Sequence, residues 1–317
     1  MHLFLLRPRG FCAGVKRAIQ TVEKALEHFG APVYVKHQIV HNRHVVEELE
    51  KKGAIFIEDL KEVPKGSKII YSAHGVSPQV RDEAKVRGLQ EIDATCPLVT
   101  KSHLAAKKYA EQGYKILLIG HKKHIEVIGI QEEAPKATTV IESLDDVAKL
   151  DFAKAEKIFY LMQTTLNVEK TKLLVQALQK KYPQIKTLSS SSICYATTSR
   201  QKVLFSVLDK IDAAFIIGDP SSSNSNRLKE MAAEKTRAYL IHKEEEITKE
   251  LVKGVKVMAL TAGASTPEAV VQRCVQRLQN LGVKTIEEVI CVDKEAVFPL
   301  PQELSVLAAI VDEGRVS

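Results

Sequence analysis

Short runs of apolar, often β-branched residues alternate along this chain with longer stretches in which apolar positions recur every three or four residues. The first pattern suits strands buried on both faces and the second suits amphipathic helices; their alternation predicts parallel α/β units. The clearest strands are expected at 68–71, 115–119, 157–161, 213–217 and 255–260, with a shorter one near Gln90–Ile92 and another in the opening run Met1–Leu6. Val15, Ala18, Ile19, Val22, Ala25, Leu26 and Phe29 fall at helical spacing, and Gly30 closes that helix. Further helices are predicted from Val99 to Tyr109, through Val203 and Leu208, through Leu228 and Met231, and from Val270 to Leu281.

The segments that follow the strands carry unusual chemistry. They read Ser72-Ala73-His74-Gly75, Gly120-His121-Lys122-Lys123-His124-Ile125-Glu126, Gln163-Thr164-Thr165, Gly218 through Asn226 with its Ser221-Ser222-Ser223-Asn224 run, and Thr261-Ala262-Gly263-Ala264-Ser265-Thr266. Open parallel sheets bind ligands beyond the carboxyl ends of their strands, so loops this rich in Ser, Thr, Asn and His predict a site. Three cysteines lie in comparable places. Cys12, Cys96 and Cys194 each precede a predicted helix, and about one small α/β unit separates each from the next. This predicts an α/β protein of three similar small parallel-sheet domains, 13–96, 97–191 and 192–281, with 1–12 and 282–317 packed against them.

Composition narrows the partners. The 317 residues carry 46 Lys and Arg against 39 Asp and Glu, a net charge of +7 that favours anionic ligands or acidic proteins. The lysines are dispersed and aromatic residues make up only 5%, which argues against nucleic acid. No segment approaches the ~20 apolar residues that span a membrane, and the amino-terminal run is too short for a secretory signal, so a cytoplasmic protein is expected. Five cysteines without a Cys-x-x-Cys pair argue against both a disulfide framework and a local zinc site.

A thiol at a strand-to-helix junction sits near unpaired N–H groups and the positive helix end, which favour the thiolate that ligates metal. Three such thiolates meeting at one point could hold zinc or three irons of a 4Fe–4S cluster; Cys274 and Cys291 lie in apolar runs and are expected in the core. His41, His74 and His124 suit an anion, and Ser222-Ser223-Asn224 at a helix start suits a phosphate, with Ser265 in a neighbouring turn. Glu126 is the candidate proton donor, and Thr164 could relay a proton or position a hydroxyl. A cluster with an open iron suits reductive removal of a hydroxyl or a non-redox dehydration. A zinc or metal-free diphosphate-binding protein is the third possibility.

The motifs Pro8-Arg9-Gly10-Phe11-Cys12-Ala13-Gly14-Val15, His41-Asn42, Ser72-Ala73-His74-Gly75-Val76, Asp93-Ala94-Thr95-Cys96-Pro97, Gln163-Thr164-Thr165, Ile193-Cys194-Tyr195-Ala196-Thr197-Thr198, Ser222-Ser223-Asn224-Ser225-Asn226-Arg227 and Thr261-Ala262-Gly263-Ala264-Ser265 closely resemble those of the 4-hydroxy-3-methylbut-2-enyl diphosphate reductase family. The resemblance implies one central 4Fe–4S cluster with three cysteine ligands (Cys12, Cys96, Cys194) and one open iron that binds the substrate oxygen. It further implies Glu126 as proton donor, and His41, His74, His124, Thr164, Ser222, Ser223, Asn224 and Ser265 as substrate-binding residues. Reduced ferredoxin or flavodoxin is the implied electron donor, and isopentenyl and dimethylallyl diphosphate are the implied products. The sequence departs from the family at Ile125, where a proline is usual, and around Val127–Ile130 and Asp219-Pro220.

Overall fold

The computed structural model describes residues 1–153, 155–189, 192–291 and 296–304. Thirteen strands are found among them: β1 (His2–Arg7), β2 (Val33–Lys36), β3 (Ala54–Ile57), β4 (Lys68–Tyr71), β5 (Gln90–Asp93), β6 (Lys115–Ile119), β7 (Thr138–Ile141), β8 (Ile158–Met162), β9 (Lys186–Thr187), β10 (Ala213–Ile217), β11 (Arg237–Ile241), β12 (Val257–Ala262) and β13 (Thr285–Ile290). The helices are α1 (Ala13–Phe29), α2 (Arg43–Lys51), α3 (Pro78–Val86), α4 (Pro97–Glu111), α5 (Ile125–Glu132), α6 (Leu144–Lys149), α7 (Val168–Lys181), α8 (Tyr195–Phe205), α9 (Ser223–Ala233) and α10 (Glu268–Asn280).

The strands form three all-parallel sheets ordered β3-β2-β4-β5, β7-β6-β8-β9 and β11-β10-β12-β1-β13. The first four strands of each follow one plan. An edge strand is followed by the strand before it in sequence, then by the next strand after the edge. Equivalent pairs carry equivalent apolar partners: Val35 opposite Ile70, Leu118 opposite Leu161, and Phe215 opposite Leu260. All five residues of β8 and of β10 are buried, because helices cover both faces, and this explains why their sequences read as unbroken apolar runs.

The third sheet completes the plan with the amino-terminal strand. β1 holds the place that β5 and β9 hold in the other two, and β13 adds an outer edge. The segments 1–12 and 282–317 were expected to lie against the domains; their strands are instead built into this sheet. Leu3 and Leu6 are fully buried there, which a surface segment would not permit. Residues 190–191 and 305–317, the ends of two expected segments, lie outside the described residues.

Three further boundaries differ. The strands expected at 157–161 and 255–260 run on to Met162 and Ala262, and Leu208 lies in a separate short turn, Leu208–Lys210, beyond the end of α8. Cys274 is in the core, whereas Cys291 is only half-buried, its N–H donating to the Arg7 carbonyl at 2.9 Å. Among the described residues no helix is long and apolar enough to cross a membrane.

Phe215, fully buried at the middle of β10, anchors the core of the third sheet. Phe215→Ala is expected to destabilise the protein by about 3–5 kcal/mol, measured by denaturant unfolding.

Candidate functional site

Because all three sheets are parallel, the carboxyl ends of their strands and the amino ends of the following helices lie on the same side of each sheet. Cys12, Cys96 and Cys194 are the residues that cap α1, α4 and α8. Serine, asparagine or aspartate in that position would spend its side chain on a backbone N–H. None of the three thiols does so, which leaves each free to project beyond the helix end. The backbone N–H of each cysteine is tied to the loop after the adjacent strand. Cys12 donates to Ala264 O at 3.1 Å, Cys96 to Ala73 O at 3.0 Å and Cys194 to Thr164 O at 3.1 Å. Those loops carry Ser265, His74 and Thr164.

The remaining candidates sit one strand further along. His124 and Ser222 cap α5 and α9 through their own side chains, and Asn42, next to His41, caps α2. His124 Nδ1 accepts from Glu126 N–H at 3.2 Å, so α5 starts in register without the usual proline at Ile125. The result is one cavity lined by all twelve singled-out residues: Cys12, Cys96 and Cys194; His41, His74 and His124; Glu126 and Thr164; Ser222, Ser223 and Asn224; and Ser265. Six helix amino-termini bring residues to or beside it, and their partial positive charges favour an anionic occupant.

The imidazoles are grouped tightly. His41 stacks on His74 with ring centroids 3.9 Å apart, and His124 meets them edge-on at 5.7 and 6.3 Å. Burial pushes the basicity of all three down, repulsion from His41 helps at His74 and His124, and Asp219 partly opposes the shift at His41. For His124 the value falls to about 3. His124 Nε2 and both polar atoms of the Asn224 side chain are buried with no hydrogen-bond partner among the described residues. Buried polar atoms are rarely left unpaired, so these call for a polar ligand.

Glu126 is 2% exposed and sits where a proton can be held. Burial raises its pKa, while the Thr164 N–H and Oγ1–H, each donating to a carboxylate oxygen at 2.7 Å, lower it. Burial prevails.

Sequence reasoning missed the residues that brace these loops. Thr165 Oγ1 donates to Ser223 Oγ at 2.9 Å, and the Thr197 hydroxyl lies 3.1 Å from Cys194 Sγ. Arg17 donates to the carbonyls of Thr95 and Asp93, and Arg200 to those of Gly10 and Ala196, so each arginine clamps a cysteine-bearing loop. Thr165 and Thr197 stood inside quoted motifs, but nothing local marked the arginines, which reach the remote carbonyls of Thr95, Asp93 and Gly10.

The residues present fit an iron–sulfur cluster. Burial raises the Cys96 and Cys194 thiols to about 12 and about 11, so the metal-free protein holds both protonated and ligation must release protons. Among the described residues no group of three or more His, Cys, Asp or Glu closes on a single ion position, yet the three cysteines share one cavity. Thiols lining a common volume rather than a point suit a polynuclear cluster better than a lone zinc.

A sequence model of the LytB protein family matches residues 3–279. The chain belongs to the LytB family. It is 56% identical over 305 residues to the 4-hydroxy-3-methylbut-2-enyl diphosphate reductase of Protochlamydia amoebophila, covering 96% of this chain and 97% of that one. It is 55% identical over 304 residues to the reductase of the same name from Chlamydia muridarum, covering 95% and 99%. Among solved structures, the E-1-hydroxy-2-methyl-but-2-enyl-4-diphosphate reductase of Plasmodium falciparum superposes with a TM-score of 0.95 at 45% identity, covering 98% of each chain. A second reductase structure, described as the terminal enzyme of the non-mevalonate pathway, gives 0.63 at 32% identity, covering 88% of this chain and 99% of that one.

Two predictions follow from the geometry of this LytB site. A Cβ added at Gly14 would stand 2.6 Å from Cys96 Sγ, so Gly14→Ala should displace the thiol and lower bound iron, read by metal analysis of the purified protein. The histidines bind protons less readily folded than unfolded, so stability should fall as pH drops below about 6.5, by up to roughly 1 kcal/mol per pH unit for each. His124→Asn should flatten that slope in denaturant titrations, and inorganic pyrophosphate should offset the loss by pairing with the charged rings.

Proposed function

We propose that this chain reductively removes the hydroxyl of 4-hydroxy-3-methylbut-2-enyl diphosphate, giving isopentenyl and dimethylallyl diphosphate. The balance is one substrate, two electrons and two protons to one isoprenyl diphosphate and one water. The C–O bond breaks with its electron pair on oxygen, which takes a proton; the two electrons and the second proton complete a C–H bond. One cavity containing both three capping thiols and a buried imidazole–serine–asparagine cluster carries this reading.

Cys12, Cys96 and Cys194 would hold a 4Fe–4S cluster with one open iron. Such a group supplies electrons singly and a Lewis-acidic position when bound. His41, His74, His124, Ser222, Ser223, Asn224 and Ser265 bind the diphosphate, whose oxygens accept from the unpaired Asn224 Nδ2–H and His124 Nε2–H. The anion also restores proton affinity to the imidazoles, so binding takes up protons. Glu126, favoured in its neutral form by burial, then donates its Oε2–H to the Thr164 Oγ1 that it touches, and Thr164 passes a proton toward the departing hydroxyl. A reduced ferredoxin or flavodoxin supplies the electrons, and free thiols together with such carriers suit a cytoplasmic setting.

Glu126→Gln keeps the acceptor for the Thr164 N–H and turns the other oxygen into an amide that can donate to Oγ1, so the loop should hold its shape. Turnover driven by reduced methyl viologen is expected to fall at least 10²-fold while substrate still binds. Near-normal turnover would remove Glu126 from proton delivery. Cys96→Ser is expected to lose iron and visible absorbance; a full cluster in that variant would count against the ligand set.

A further inference from the structure

His103 on α4 is 6% exposed, yet it does not line the cavity. Its Nδ1 lies 2.7 Å from Oε1 of Glu133, the residue that closes α5. That carboxylate accepts the Nδ1–H and so fixes the orientation of the ring. Nε2 is buried too and has no hydrogen-bond partner among the described residues.

Two glycines make room for the Nε2 edge. A Cβ at Gly75, the residue after His74, would stand 2.8 Å from His103 Nε2. One at Gly129 would stand 3.1 Å from His103 Cε1 and 3.8 Å from the carbonyl carbon of Val76, so loop and helix meet at this edge of the ring. Gly129 follows Glu126 by three residues in α5. A helical side chain covers the turn on the amino-terminal side of its own Cα. A ring standing where a side chain at 129 would stand therefore rests on the turn that carries Glu126. Charge on that ring is felt at Glu126, where it opposes the rise in proton affinity that burial causes.

We propose that His103 is a positioning residue for Glu126: wedged between Gly75 and Gly129 and anchored by Glu133, it seats the first turn of α5 against the His74 loop. This rests on the function proposed above, in which Glu126 delivers a proton. α5 has only eight residues, too few to hold its place without packing. A smaller side chain at 103 would leave a gap that neither glycine can fill. The two 2.7 Å contacts between Glu126 and Thr164 would then have slack to lengthen, and a displacement of about 1 Å at a reacting group can cost about 10²-fold in rate.

The test uses the cluster-loaded full chain driven by reduced methyl viologen. His103→Asn keeps a donor for Glu133 in the place of Nδ1 and removes the edge that faces the glycines. It is expected to lower kcat about tenfold, with KM for the hydroxyl diphosphate within about twofold of the parent and bound iron unchanged. Placed in Glu126→Gln it should cost no further turnover, because the group it positions is already gone. Gly129→Ala crowds the ring and should lower kcat by itself. Combined with His103→Asn, the added methyl refills the gap and should recover part of the loss. A normal kcat in His103→Asn, a loss confined to KM, a loss that multiplies with that of Glu126→Gln, or a double variant no better than His103→Asn would overturn the assignment. Infrared difference spectra read the same contact without turnover. The Glu126 carboxyl band, identified by its disappearance in Glu126→Gln, should shift in His103→Asn, and an unmoved band would count against the wedge. A parent protein that fails to turn over with viologen would instead refute the proposed function, and the infrared result would still report on His103.

Discussion

Several helices aim their amino-termini at one shared cavity, and that convergence sets the terms for the rest of the molecule. It concentrates unpaired N–H groups and partial positive charge where a protein would ordinarily scatter them. Cysteine rather than serine or aspartate at three of those ends adds no compensating hydrogen bond. The fold tolerates the arrangement because each cysteine N–H is tied to the loop of the neighbouring strand. Those same loops carry Ser265, His74 and Thr164, so the thiols cannot move without moving the groups proposed to meet the substrate.

Burial then sorts the ionisable groups. In one cavity it raises the proton affinity of Glu126 and lowers that of His41, His74 and His124, two shifts of opposite sign with one cause. A pair of such environments is how proteins assign acid and base roles near neutral pH. The Glu126–Thr164 contacts fix the carboxyl in place while opposing part of the upward shift that burial causes. The same displacement of water strengthens every electrostatic contact that a bound diphosphate would make.

Much of this was legible in the sequence because parallel sheets leave a periodic trace. The strands at 68–71, 115–119 and 213–217 could be bounded to the residue, and the loops after them stood out by their His, Ser and Thr content. Other strands escaped. Val33–Lys36, Thr138–Ile141 and Arg237–Ile241 lack long apolar runs, and β13, with Thr285, Glu287 and Glu288, faces water along most of its length. The transfer of β1 into the third sheet could not be read locally either, since nothing in Leu3–Leu6 names its partner strands. Side chains that act through remote carbonyls, as Arg17 and Arg200 do, have no signature in spacing.

The central claim is that three remote thiols hold one polynuclear iron centre facing a diphosphate pocket. Iron and acid-labile sulfide analysis of anaerobically purified protein tests it most directly. About four irons and four sulfides per chain are predicted, with a visible spectrum that changes when the hydroxyl diphosphate is added. A colourless protein holding a single zinc or no metal would contradict it.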